Sequence, residues 1–246
     1  MLESLKTILS SSLSDGDPTV DIEGEAVPVR IRRNAQARRM SLRADAVKRE
    51  IRVTLPRYTP SIEAMDFIEK KREWIAARLQ SMPAAVPLLP GAEIAVEGHA
   101  LTIRWQAEWP RGVTRHDGEL RLGGPRDMIA PRILRWLKAH ARETFTGEIA
   151  HYCDIAGTAP LKLQLGDPRS RWGSCSARGT IALSWRLIMA PPHVRRSVIA
   201  HEVAHIRHMN HSAEFYAWMA EIFEGDVKAA DQWLKQHGTA LHLVGR

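Results

Sequence analysis

His201-Glu202-Val203-Ala204-His205 is the stretch that decides how this chain is read. Pro191-Pro192 stands ahead of it, and apolar residues at Val194, Val198, Ile199, Val203 and Ile206 run through it. Proline suits a first helical turn, because its missing N–H has no partner there, so the pattern predicts a helix opening at the proline pair. Histidines at i and i+4 share a helix face one turn apart, so both imidazoles can reach one metal ion. The intervening Glu202 then stands close enough to act on a water held by that ion. A zinc hydrolase needs this arrangement: two ligands fix the ion, a third completes the protein's share, and an open fourth position takes water.

The third ligand is sought downstream. His211 follows His205 with five residues between them, the spacing of zinc sites whose helix ends soon after the second histidine. Asn210 tolerates the left-handed conformation that ends helices, and Ser212 can cap a new one. A turn at Met209-Asn210 would therefore swing His211 back toward the metal. His208 shares a face with His201 and His205, but in a continuous helix it lies about 10.5 Å from His201 along the axis. That strains ligation of one ion by both rings. Glu221 or Glu224 is the carboxylate alternative.

Length and composition bound the rest. A chain of 246 residues, 44% hydrophobic, can bury a substantial core. No apolar run approaches the length of a membrane span. The only cysteines are Cys153 and Cys175, with no C-x-x-C, which argues against a disulfide scaffold or a cysteine zinc site and for a reducing cytoplasm. The net charge is +7. Arg30, Arg32, Arg33, Arg38, Arg39, Arg43, Lys48 and Arg49 cluster against Asp45 alone. Such a patch could touch nucleic acid, though the plainer expectation is the solvated face of a twisted hairpin.

The expected fold class is α+β. Residues 1–24 are expected as a flexible tail. Residues 25–125 are expected as a small, mostly β region, with strands near 27–31, 39–42, 50–55, 93–96, 101–105, 113–115 and 119–122. One helix is expected over Thr59–Met82, carried by Ile62, Met65, Ile68, Ile75 and Leu79. Residues 126–246 are expected as a zincin-like metallohydrolase domain, with the H-E-x-x-H helix at its centre. A long helix fills 126–155 and strands lie at 161–165 and 180–185. Asp226 and Gly238 are expected to cap and stop a last helix.

Three motifs carry a resemblance. They are Ser170-Arg171-Trp172-Gly173-Ser174-Cys175-Ser176, then Leu183-Ser184-Trp185-Arg186-Leu187-Ile188-Met189-Ala190-Pro191-Pro192, and last the H-E-x-x-H with Met209-Asn210-His211-Ser212. Together they resemble the YgjP-like metallopeptidase domain, related to the SprT and WLM zinc proteases, from about Val27 to about Gly238. The resemblance implies Zn2+ bound by His201, His205 and His211, with Glu202 as catalytic acid and base. Ser184 stands where an asparagine is usual and Tyr216 where a tryptophan is usual. Neither is an expected ligand. Members are classed as peptidases by motif, and a UTP pyrophosphatase activity is attributed to the family's namesake.

Three functions are therefore expected in order. The first is a zinc metallopeptidase, with the strand near Thr180–Ser184 pairing an extended polypeptide. The second is a nucleoside triphosphate pyrophosphatase at the same metal, with Arg169 and Arg171 as phosphate-binding residues. The third is a nucleic-acid-associated protein with a structural metal.

Overall fold

A computed structural model describes residues 18–45 and 48–246. The chain divides into two compact units, Met1–Pro83 and Ala84–Arg246.

The first unit is built on a four-stranded sheet in the order β1-β2-β4-β3. The strands are β1 (Thr19–Ile22), β2 (Glu25–Asn34), β3 (Ser41–Asp45) and β4 (Glu50–Pro56). Alternation decides the buried face. Val27 and Val29 of β2 and Ile51, Val53 and Leu55 of β4 turn inward, onto Ala64, Met65, Ile68, Ile75 and Leu79. β1 occupies part of the expected tail: Ile22 is buried and the strand pairs antiparallel with β2. Residues 1–17 of that tail lie outside the described residues.

The expected helix over Thr59–Met82 is two, α1 (Ser61–Glu69) and α2 (Arg72–Gln80). Five consecutive charged residues, Glu69 to Glu73, interrupt the apolar stripe. Lys71 leaves helical geometry (φ −111°, ψ 11°). The break lets α1 pack on β4 while α2 turns to meet β1 and β3.

The basic segment is not one hairpin. β2 runs parallel to β4, whereas β3 pairs antiparallel with β4. Arg30, Arg52 and Arg43 lie side by side across three strands. Glu50, buried on the same face, meets Arg30 at 3.6 Å and Arg52 at 2.7 Å. Part of the positive charge is thus met within the unit.

The second unit holds two sheets. β5 (Glu93–Val96), β6 (His99–Trp105), β7 (Thr114–His116) and β8 (Glu119–Leu122) form one, in the order β5-β6-β8-β7. β9 (Lys162–Gly166), β10 (Gly173–Cys175) and β11 (Thr180–Ser184) form the other, in the order β10-β11-β9. The helix α3 (Ile129–Ile155) lays Ile133, Leu137, Ala141, Phe145 and Ile149 along one stripe into the core. The expected boundary at 125–126 is corrected by this core. Leu101, Ile103, Leu120 and Leu122 pack in the same apolar cluster as α3. The β5–β6 turn also donates Glu97 N–H to the Ile188 carbonyl (2.7 Å). Residues 84–125 therefore belong with the helix that carries the H-E-x-x-H motif.

Three further helices complete the unit: α4 (Pro192–Ala204), α5 (Ala213–Ile222) and α6 (Val227–Leu243). Asp226 caps α6 as expected, its carboxylate accepting from Lys228 and Ala229. Gly238 does not stop α6, which runs on to Leu243. Its missing side chain serves packing instead: a Cβ there would lie 2.7 Å from the Trp172 indole.

Candidate metal centre

α4 opens at Pro192, and His201 and Glu202 fall in its last turn. Val194, Ile199, Ala200 and Val203 are fully buried and seat the helix. Arg195, 3% exposed, fastens it to α3 through bonds to both carboxylate oxygens of Glu148 at 2.7–3.1 Å.

The helix ends at His205, its C-cap. The chain then turns, and Ser212 caps α5 by accepting from Phe215 N–H (3.4 Å). That turn brings His211 back, so that its Nε2 lies 3.1 Å from Nε2 of His201. The ligand atoms of His201, His205 and His211 all lie within 4.8 Å of one another. Two nitrogens on a tetrahedral zinc at ~2.05 Å would stand about 3.3 Å apart, so the set fits one ion. His205 Nδ1 donates to the His208 carbonyl (3.0 Å), which leaves Nε2 with its lone pair toward the group. His208 thus contributes a backbone acceptor, and its ring stands outside the trio. Burial first, then His205 and His211, push His201 down to about 4, so its ring is neutral and free to ligate near pH 7.

Phe215 was not foreseen from sequence. It is fully buried and lies 4.7–4.9 Å, centroid to centroid, from all three imidazoles. An apolar residue three positions after the Ser212 cap was its available signal. Glu224, the carboxylate alternative, is occupied elsewhere: it accepts from Tyr152 (2.9 Å) and pairs with Arg196. Glu221 is exposed and outside the histidine group.

Glu202 is 5% exposed, and its Oε2 has no hydrogen-bond partner. Burial raises its carboxyl to about 7, against Arg171, which lowers it. The carboxylate lies against β10. Gly173, Ser174, Cys175 and Met209 line a cleft of about 270 Å³ with Glu202 and the three histidines.

β11, expected to pair a substrate, is the central strand and has neighbours on both sides. The edge strand beside the site is β10. The Trp172 carbonyl accepts from Ser184 N–H and Ser176 N–H donates to the Thr180 carbonyl, each at 2.9 Å. Even-numbered residues of this segment therefore face β11. Alternation turns the backbone groups of Gly173 and Cys175 outward to the open edge.

The two arginines part company. Arg171 is exposed and near enough for its charge to act on Glu202. Arg169 is exposed too, but its charge acts on His242. Trp172, next after Arg171, is half-buried and stacks on His242 (4.8 Å, 21°).

Three convergent imidazoles beside a buried carboxylate form a group that could hold a metal ion. The chain belongs to the YgjP-like family, whose metallopeptidase-domain profile matches residues 38–237. The family implies a metal ion, and the histidine trio is a group able to hold one. No curated protein matches the chain. Among solved structures, the crystal structure of the metallopeptidase zymogen of Pyrococcus abyssi abylysin matches with 22% identity. That match covers 37% of this chain and 93% of that one, with a TM-score of 0.35. Among the described residues, no helix is long and apolar enough to cross a membrane.

Proposed function

We propose that the protein is a zinc-dependent peptidase of zincin-like design, with His201, His205 and His211 as ligands and Glu202 as general base and acid. The observation that carries this reading is the buried, unpartnered Glu202 carboxylate lining the same cleft as three convergent imidazoles. Three imidazole donors suit zinc among the divalent ions. When bound, the ion supplies a Lewis acid that acidifies water and polarises the scissile carbonyl.

The chain's own residues do the rest. Glu202, held near neutrality by burial, takes the proton from the attacking water and returns it to the leaving amine nitrogen. The outward backbone groups of Gly173 and Cys175 can pair an extended polypeptide and fix its carbonyl over the cleft. His208, through its carbonyl, holds the His205 ring in one orientation.

A second reading rests on one observation: the positive charge of Arg171 reaches Glu202 and lowers its carboxyl against the effect of burial. A triphosphate bound at the same metal would meet that guanidinium, as a pyrophosphatase requires. Zinc-loaded protein offered unfolded polypeptide and nucleoside triphosphates, with Glu202→Gln as control, separates the readings. Hydrolysis of polypeptide that disappears in the variant supports the peptidase, and hydrolysis of triphosphate alone replaces it with the second.

A further inference from the structure

We propose that a second cavity, on the Trp172 side of Glu202, is a subsite for a large apolar side chain next to the cleaved bond. The inference rests on the peptidase reading. The cavity measures about 450 Å³ and shares Gly173, His201 and Glu202 with the metal cleft. An extended chain advances only about 3.3–3.6 Å per residue. A side chain entering this cavity therefore belongs to a residue directly beside the reacting carbonyl.

The walls set the chemistry. Trp172 forms one side, Val198 of α4 another, and Val227, Ala230 and Leu234 of α6 the third. Lys228 and Asp231 stand at the exposed rim with opposite charges, and Asp231 is already paired with Lys235. Apart from Ser197 and the His201 and Glu202 it shares with the metal cleft, these walls offer dispersion and dehydration and no charge partner. A carboxylate packed between them would lose hydration without compensation. The volume lies near the lower end of small-ligand pockets, roughly 300–1,000 Å³, which is room for one leucine-, phenylalanine- or methionine-sized group.

The pocket is formed in advance. Trp172 lies over Gly238, where any Cβ would strike it at 2.7 Å, and its ring stacks on His242. α6 supplies both the seat of that tryptophan and the facing apolar wall. This is why a glycine lies mid-helix, where propensity alone costs about 1 kcal/mol relative to alanine. Leu234, half-buried, is the largest aliphatic side chain of that wall.

The test is cleavage-site mapping on a library of capped peptides, with zinc-loaded wild type, Leu234→Ala and Leu234→Trp. We expect kcat/KM to favour Leu, Phe or Met over Asp or Lys by about 10–100-fold at one position adjacent to the cleaved bond. Leu234→Trp should shift that preference to Ala and Val, and Leu234→Ala should extend it to larger groups. A change of preferred size is not what general loss of stability produces, and Leu234→Ala gives the same readout if the tryptophan variant does not fold. Calorimetric titration of Glu202→Gln with two library peptides differing only at that position should reproduce the preference as binding. Cleavage without apolar preference at either flanking position, or preference unmoved by both variants, overturns the subsite and leaves the peptidase reading standing. Absence of both peptide cleavage and peptide binding overturns the two together.

Discussion

A side chain at position 173 and the Glu202 carboxylate cannot share the space they would need: a Cβ on Gly173 would lie 2.5 Å from Oε1 of Glu202. The glycine is required here for room, because the carboxylate is pressed against the strand that borders the cleft. Gly173→Ala should therefore push Glu202 out of line while leaving the histidines in place. Zinc content should stay near wild type while turnover falls by about 10²-fold or more, within the range of general acid–base contributions. Metal analysis beside initial rates checks this, and a fully active alanine variant would show that Glu202 needs no such seat.

The metal site should bind about one zinc per chain. His211 is the proposed ligand that depends on tertiary folding, since the turn after α4 and the Ser212 cap bring it to His201. His211→Ala should weaken zinc by more than the roughly 10–100-fold typical of losing an outer hydrogen bond to a ligand. Competition with a chromogenic chelator measures it. Wild-type affinity in the variant would remove His211 from the site.

Glu202→Gln separates base from ligand. The variant should keep zinc and lose about 10²–10⁴-fold of its activity. It also makes a pH prediction for the metal-free protein. Burial raises the Glu202 carboxyl to about 7 in the folded chain, above the ordinary value of about 4.3 in the unfolded one. Between those values the folded state holds the extra proton, so this group's stability is fully present below about 4.3 and is lost as pH rises through about 7. Glutamine carries no charge at any pH. Metal-free Glu202→Gln should thus gain on wild type as pH rises, by on the order of 3–4 kcal/mol at pH 8, with the gap closing toward pH 4. Denaturant unfolding at both pH values tests this, and a pH-independent gap would contradict it.

Arg195 holds the metal-site helix to α3 by its bonds to Glu148, and both side chains are largely buried. Arg195→Ala leaves the Glu148 carboxylate without its partner. A cost of about 3–5 kcal/mol is expected from breaking such a pair. Thermal unfolding should register it directly, and a shift below about 1 kcal/mol would show that water replaces the guanidinium.

What the sequence revealed follows from the range of each interaction. His201, Glu202 and His205 were legible because helical spacing alone puts them together, and His211 because Ser212 announces the next helix. The α4 start at Pro191-Pro192 and the Asp226 cap are equally local. Arg195 and Glu148 are 47 residues apart, and no local pattern joins them. Gly238 looked like a helix stop because the tryptophan it accommodates lies 66 residues upstream. β11 looked like the open edge because the short β10, with its Gly-Ser-Cys sequence, carries no strand-forming pattern. The helix over Thr59–Met82 was read as continuous because its apolar stripe resumes in register after the charged break, and only contact with the sheet shows the turn. In each case the missing information was tertiary.

Arg171 decides between the two enzymatic readings. Its guanidinium is exposed yet close enough to Glu202 to bear on its protonation, whereas Arg169 lies toward His242. A peptide bond brings no net charge, so a peptidase needs no strong cation beside its metal. A triphosphate brings several negative charges that one zinc does not neutralise, and an arginine beside the metal would stabilise them as the anhydride breaks. Loss of a charge-assisted contact costs roughly 1.5–3 kcal/mol, which is at least ten-fold in rate. If triphosphates are the substrate, Arg171→Ala should cut their turnover by about ten-fold or more, and Arg169→Ala much less. If polypeptide is the substrate, Arg171→Ala should change its cleavage by only a few-fold, in a variant whose circular dichroism matches wild type. Equal large losses of both activities in a folded variant would make Arg171 a support of the β10 loop and withdraw its assignment to phosphate.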